Sequence, residues 1–464
     1  MAAVTHVVIL GGGPGGYEAA LVAAQLGADV TVVDRDGLGG SAVLTDCVPS
    51  KTLVATAEVM AGFEVAPELG ITIDEGGAHR VGVDLAAVNR RVLSLARAQS
   101  DDIEARLTRE GVQVLRATGR LDGPQRVVAT AADGAEQTLE ADAVLVATGA
   151  SPRTLETAEP DGERILTWEQ VYDLDAKPEH LVVVGSGVTG AEFAGAYNAL
   201  GVDVTLVSSR ERVLPGEDAD AAEVLEQVFK RRGMTVLAKS RMAAAQRDGD
   251  QVTVSLEDGR TVQGSHCLLA LGSVPNTRGM GLEESGVALD DRGFVSVDRV
   301  SRTAARGVYA AGDCTGVLML ASVAAMQGRI AMWHFLGDAV QPLDLRTVSS
   351  NVFTAPEIAT VGSTQRAVDA HEIEADAVLL SLATNARAKM QGVQDGFVKL
   401  FSRRGSGQIV GGVVVAPQAS ELIHVIALAV AQSLTADQVA NTFTVYPSMS
   451  GSIAEAARRL HQVR

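Results

Sequence analysis

Two stretches of the chain share one apolar pattern. The run VVILGGGPGGYEAA (7–20) passes from a continuous apolar strand through a glycine turn into the small residues of a helix start. The run LVVVGSGVTGAEFAGA (181–196) has the same form. Gly11, Gly13 and Gly16 recur 174 residues later as Gly185, Gly187 and Gly190. At the same offset the next strand, VTVVD ending at Asp34, is matched by VTLVS ending at Ser208. Strand, glycine turn, helix and strand are the parts of a βαβ unit, so the pattern predicts two such units of one design. Between them, Leu85, Val88, Val92, Leu95, Ile103 and Leu107 fall at helical spacing, which predicts a helix within 82–110. Short strand-like segments follow, then EADAVLVATGA (140–150), whose buried strand ending in glycine is echoed by SHCLLALGSVPNT (265–277). Beyond GVYAAGDCTG (307–316), residues 317–336 read as an Ala- and Met-rich helix.

Around 341–350 the pattern changes. Strands such as FVKLFS (397–402) and IVGGVVVAP (409–417) mix with a helix, SELIHVIALAVAQ (420–432), and no nucleotide fingerprint is present. This predicts a separate α+β domain. The expected boundaries are 1–150 and 277–343 for one nucleotide-binding domain, 151–276 for a second inserted into it, and 344–464 for the last.

Composition narrows the function classes. With 464 residues there is room for about three domains at roughly 150 residues each. A net charge of −18 without a basic block argues against nucleic acid or an anionic lipid surface as partner. The N-terminus lacks a charged leader and a cleavage site, and no apolar run is long enough to span a bilayer, so a water-soluble cytoplasmic protein is expected. Cys47, Cys267 and Cys314 are too few and too scattered for a disulfide framework or a zinc site.

A lone G-x-G-x-x-G is weak evidence, but each copy here follows an apolar strand, opens a helix and precedes a second strand. The first glycine permits the tight turn, the second lets a pyrophosphate approach the backbone, and the third lets helix pack on strand; the phosphates then meet the helix N-terminus. The copies differ at the residue that reads the adenosine ribose. Asp34 offers a carboxylate to ribose hydroxyls and repels a 2′-phosphate, which suits FAD or NAD. Ser208 offers none, and Ser209, Arg210 and Arg212 follow it, a set that favours NADPH over NADH unless the arginines are only solvated. Two dinucleotide sites in one chain imply electron transfer between two cofactors.

The run GGSAVLTDCVPSK (39–51) resembles the redox-active segment G-G-T-C-x4-C-x-P-S-K of the pyridine nucleotide–disulfide oxidoreductases, the group of lipoamide dehydrogenase, glutathione reductase and mercuric reductase. The resemblance extends over nearly the whole chain through ATG (147–149), LGSVPNT (271–277), YAAGDC (309–314), FTAPEIATVG (353–362), NARAKM (385–390) and ASELI (419–423). It implies two Rossmann-like domains, for FAD and NAD(P)H, and a C-terminal α+β domain that makes a homodimer. It implies that Asp313 binds the FAD ribityl chain, that Thr148 and Gly149 line the FAD cleft, and that Lys51 lies beside the flavin N5 and pairs with Glu192. Gly40, Ser41, Gly119 and Ala321 join the cofactor-binding set, and Gly272 joins it beside the second fingerprint.

The departures from that family pattern carry the functional reading. Ala42 stands where the first redox cysteine belongs, while Cys47 keeps the second. One thiol cannot form the internal disulfide that stores two electrons. The family's C-terminal H-P-T-x-S-E reads Tyr446-Pro-Ser-Met-Ser-Gly451 here, so both the base and its orienting acid are gone. A phenol, with a reference pKa of about 10, is a poor base at neutral pH. Cys267 and Cys314 read as packing residues, and His424 as structural. The expected function is hydride transfer from NAD(P)H through FAD to a quinone, with Lys51 and Glu192 in the machinery. Cys47 either polarises the flavin region or fills space, and Tyr446 either meets a quinone oxygen from the partner subunit or fills the place of the imidazole. A lipoamide-type disulfide reductase, a soluble transhydrogenase and a low-turnover flavin redox sensor are the alternatives.

Overall fold

A computed structural model describes residues 4–67, 69–71 and 81–461. The chain divides into two compact units: residues 1–50, 89–153 and 273–344 form one, and residues 51–88, 154–272 and 345–464 form the other.

The first unit is built on a seven-stranded sheet. Its centre is parallel: Val308–Ala310, Ala143–Val146, His6–Leu10, Asp29–Asp34 and the start of Gln113–Leu121 run side by side. These strands are Val-, Leu- and Ile-rich without alternation because helices and loops cover both faces. The long strand Gln113–Leu121 then leaves the parallel set and pairs antiparallel with Arg126–Ala131, which pairs in turn with Glu136–Glu140. Helix Pro14–Gln25 begins with proline in its first turn, where a missing N–H costs nothing. It packs on helix Ala321–Leu336 through glycine: a Cβ on Gly328 would lie 2.0 Å from the carbonyl oxygen of Gly15. Glu18 and Arg329 tie the same two helices with a 2.8 Å ion pair. The second helix starts at Ala321, four residues later than its apolar pattern suggests. The helix expected within 82–110 spans Leu85–Arg109.

The second unit contains three sheets of different character. Thr235–Leu237, Asp203–Val207, His180–Val184, His266–Leu269 and Ile165–Thr167 form a five-stranded parallel sheet, beside a three-stranded antiparallel sheet of residues 242–264. The C-terminal part is a five-stranded antiparallel sheet with central strands Glu357–Gly362, Ile409–Ala416 and Phe397–Arg403. Helices Ala419–Ala431 and Gly451–Arg459 close its core through Ile423, Ile426, Ile453 and Ala456. No helix among the described residues is long and apolar enough to cross a membrane.

Candidate functional sites

Both glycine turns are closed by the same contacts. Gly11 donates to Val33 and Gly185 to Val207, each at 2.9 Å, which ties the turn to the second strand. A Cβ on Gly11 would lie 2.3 Å from the carbonyl oxygen of Ala147, and one on Gly185 would lie 2.1 Å from that of Ala270. A Cβ on Gly16 or Gly190 would run into the carbonyl of Gly11 or Gly185 at 1.9 and 1.8 Å. The protein's own packing therefore dictates the first and third glycines. The middle ones differ: a Cβ on Gly13 would meet nothing nearer than the Cα of Gly40 at 3.9 Å, and one on Gly187 would meet nothing within 4 Å. Their bareness fits a ligand's close approach at a helix N-terminus, not internal packing.

In the first unit, Gly40 opens the short helix Gly40–Leu44 with its Cα against Gly13, and Ser41 is exposed on that helix. Asp34 sits at the strand end with Oδ2 accepting the Gly12 N–H at 2.7 Å and Oδ1 accepting those of Asp36 and Gly37. Thr148 and Gly149 are clamped by a residue that the motif reading passed over. Asn276 accepts the Thr148 hydroxyl on its carbonyl at 2.8 Å, donates its amide to the Thr148 carbonyl at 3.0 Å, and donates its N–H to Gly149. The LGSVPNT run, which echoes the strand before Thr148, was the signal for it. Gly149 has φ +68° and open space around a Cβ position. Asp313 begins a single 3-10 turn whose preceding Gly312 donates to the buried Gln327 at 2.9 Å. Burial, together with the charge of Asp46, pushes the Asp313 carboxyl up to about 6. Ala321 is the first residue of its helix, whose leading N–H groups have no side-chain cap. An open turn, a strand-end acid, a clamped Thr-Gly pair and an inward carboxyl fit an FAD. Gly119 stands apart: a Cβ there would be 2.5 Å from Leu10 and 3.2 Å from Val33, so packing alone accounts for this glycine.

In the second unit, Ser208 is fully buried. Its hydroxyl lies 2.6 Å from that of Ser186 and accepts the Arg210 N–H at 3.1 Å. This corrects the expectation that Ser208 faces a ribose: the exposed side chains after the strand end are Ser209, Arg210 and Glu211, the last paired with Lys239 at 2.9 Å, with Arg212 half-buried. Gly272 has φ +84° and no neighbour near a Cβ position.

Glu192 projects from the second fingerprint helix, Val188–Ala199, and is 3% exposed. Its Oε2 accepts Lys51 Nζ at 2.8 Å and its Oε1 accepts the Phe353 N–H at 2.8 Å. The Lys51 ammonium lies 5.1 Å from the Phe353 ring centroid. A buried carboxylate with both oxygens engaged holds the cation in place. Phe353, from FTAPEIATVG, is the part of this triad that sequence reasoning did not single out.

Cys47 is half-buried at the start of helix Cys47–Val65, after Ala42 in the preceding helix. Burial pushes the Cys267 and Cys314 thiols up to about 12 and about 11, so both stay protonated at neutral pH. Tyr446 is 87% exposed, in a run with exposed Phe443 and Val445, and so fills no interior space of its own chain. Among the described residues no group of three or more His, Cys, Asp or Glu side chains could hold a metal ion.

Two linked Rossmann-type folds with a C-terminal antiparallel sheet define a flavin-type pyridine nucleotide oxidoreductase, and the chain belongs to the pyridine nucleotide–disulphide oxidoreductase family, whose model matches residues 5–328, with that family's dimerisation domain matching residues 348–457. Members of this family use FAD and NAD(P)H. The chain is 57% identical over 466 residues to a NAD(P)H dehydrogenase (quinone) of Mycobacterium tuberculosis, covering 98% of this chain and 94% of that protein. It is 34% identical to a dihydrolipoyl dehydrogenase of Chlorobaculum parvum, covering 97% and 96%. The crystal structure of LpdA from Mycobacterium tuberculosis superposes with a TM-score of 0.94 at 56% identity, covering 99% of this chain and 100% of that one.

Proposed function

We propose that this chain is a FAD-dependent NAD(P)H dehydrogenase that reduces quinones and favours NADPH. The observation that carries the reading is one-sided loss. The nucleotide turns, Asp34, Asp313 and the Lys51–Glu192 pair are intact, while Ala42, Tyr446 and Gly451 stand where the thiol, the base and its orienting acid belong. Bound FAD would supply two-electron chemistry between NAD(P)H and an acceptor. In the balanced reaction NAD(P)H, a proton and a quinone give NAD(P)+ and a hydroquinone. Quinones suit this because they are flat and need no covalent sulfur intermediate.

The chain's own groups then divide the work. Gly11, Gly13 and Gly16 with Asp34, Thr148, Gly149 and Asp313 hold the FAD; Gly185, Gly187 and Gly190 with Ser209 and Arg210 hold the nicotinamide dinucleotide. Lys51, fixed by Glu192, keeps a positive charge in place that would favour hydride transfer electrostatically. Residues 1–150 and 277–343 are assigned to the FAD domain, 151–276 to the NAD(P)H domain and 344–464 to a homodimer interface in a cytoplasmic enzyme. The test is anaerobic. Protein reduced with NADPH should be reoxidised rapidly by menadione and not by lipoamide or oxidised glutathione. A reductive titration should consume two electrons per subunit. Four electrons, or turnover with lipoamide, would overturn the reading.

A further inference from the structure

We propose that Gln327 is a positioning residue for FAD, which sets the Asp313 carboxyl by holding both ends of the turn that carries it. The inference rests on the assignment of Asp313 to the FAD site and adds the residue that fixes that acid.

Asp313 is not held by its own side chain. Its carboxyl accepts no hydrogen bond from any described residue; burial and the charge of Asp46 are what act on it. Its place therefore follows from the backbone of the turn Asp313–Thr315 and of the residue before it. Gly312 has φ +81° and ψ −157°, a conformation open to glycine and closed to other residues. A backbone so bent persists only where its surroundings over-determine it.

Gln327 supplies that constraint. It is 1% exposed. Its Oε1 accepts the Gly312 N–H at 2.9 Å, and its Nε2 lies 3.4 Å from the Thr315 hydroxyl. The Thr315 hydroxyl in turn donates to the Gly312 carbonyl at 2.7 Å. One amide thus joins the first and last residues of the arc on which Asp313 sits. Such a join takes a side chain with both a donor and an acceptor, and an amide provides them without adding a charge beside Asp313 and Asp46.

The support under Gln327 is rigid for a separate reason. Gln327 lies on helix Ala321–Leu336, next to Gly328, where a Cβ would meet the Gly15 carbonyl oxygen at 2.0 Å, and two residues before Arg329, which pairs with Glu18 at 2.8 Å. Gly15 and Glu18 both belong to helix Pro14–Gln25, which opens from the first fingerprint. The helix that presents its N-terminus to a pyrophosphate and the turn that presents Asp313 are therefore tied through one side chain. The adjoining turn uses the same kind of group: the Asn276 amide clamps Thr148 at the end of strand Ala143–Val146, which pairs with Val308–Ala310.

A glutamine that served folding alone would stabilise the protein to the same extent with and without FAD. A positioning glutamine changes the affinity for FAD, and does so only while Asp313 is present.

The experiment starts from holoenzyme. It follows FAD release on dilution by the rise in flavin fluorescence, takes Kd from the fraction released at equilibrium, and records the visible circular dichroism of the bound flavin and the Tm. Gln327→Met keeps the length of the side chain and loses its donor and acceptor. It should weaken FAD about tenfold, about 1.4 kcal/mol, and alter the circular dichroism of the flavin. Asp313→Ala should weaken FAD by itself, and adding Gln327→Met to it should lose less than about threefold more. If Gln327→Met fails to fold, Thr315→Val, which removes only the far end of the join, carries the same cycle: a loss of about threefold that vanishes beside Asp313→Ala. The proposal is overturned if Gln327→Met holds FAD as tightly as wild type and lowers only the Tm, or if its effect is undiminished beside Asp313→Ala. An Asp313→Ala variant that holds FAD like wild type would take Asp313 out of the cofactor site, and the inference with it. None of these measurements reads quinone turnover, so the proposed acceptor stands or falls separately.

Discussion

Replacing Lys399 with methionine should destabilise the second unit by about 3 kcal/mol. Lys399 lies within the central antiparallel strand Phe397–Arg403 and is 3% exposed. Its ammonium donates to both oxygens of Asp218 at 2.9 and 2.8 Å and to Asp220 at 2.6 Å. Asp218, 4% exposed at its side chain, is the N-cap of helix Ala219–Arg231 and accepts the N–H groups of Asp220 and Ala221. Removing one partner of a buried ion pair typically costs about 3–5 kcal/mol, because the other charge stays buried. The low end applies because Asp218 keeps its two capping hydrogen bonds and Asp220 is already half in water. For a unit of this size, about 3 kcal/mol corresponds to a fall in Tm of roughly 6–12 °C. Pairing the change with Asp218→Ser, which keeps a capping oxygen and removes the orphaned charge, should recover most of the loss. A single variant that loses less than about 2 °C, or a double variant whose loss equals the sum of the two singles, would refute the ion pair as the source of the coupling.

Three further outcomes follow from the geometry. Burial, then the charge of Arg164, holds His266 down to about 4, below its ordinary 6.5. The unfolded chain therefore binds the extra proton first, so stability falls as pH drops from about 6.5 towards 4, and His266→Gln should remove up to roughly 3 kcal/mol of that slope in pH-dependent unfolding. An unchanged slope would show that the histidine does not titrate in this way. Glu192→Gln keeps an oxygen for the Phe353 N–H and removes the negative charge that fixes Lys51, so flavin reduction by NADPH in stopped flow should slow about tenfold, with a rate within twofold of wild type counting against the pair. Cys47→Ser should leave quinone turnover and the two-electron titration unchanged, since no second thiol is available to resolve a disulfide; a collapse of turnover would put the thiol in the mechanism.

How much of this was readable in advance depends on whether a residue's role is local. The fingerprint turns were legible because the first and third glycines of each answer to a neighbour a few residues away or on the adjoining strand, and the repeat at 174 residues displays the rule twice. The loss of the dithiol was legible because absence is visible in a string of letters. Three things were not. Asn276 clamps Thr148 from 128 residues away, and Phe353 offers its N–H to Glu192 from 161 residues away, so neither contact leaves a local spacing to detect. Ser208 was read as facing a ligand because its aligned partner is an acid, yet the structure turns its hydroxyl inward to Ser186. A short neutral side chain can satisfy itself within the turn, whereas a carboxylate demands several donors and so declares its surroundings. Substitutions at a ligand-reading position are therefore best read together with the residue that seats them. In this chain that residue lies on the preceding turn, 22 positions earlier in both copies.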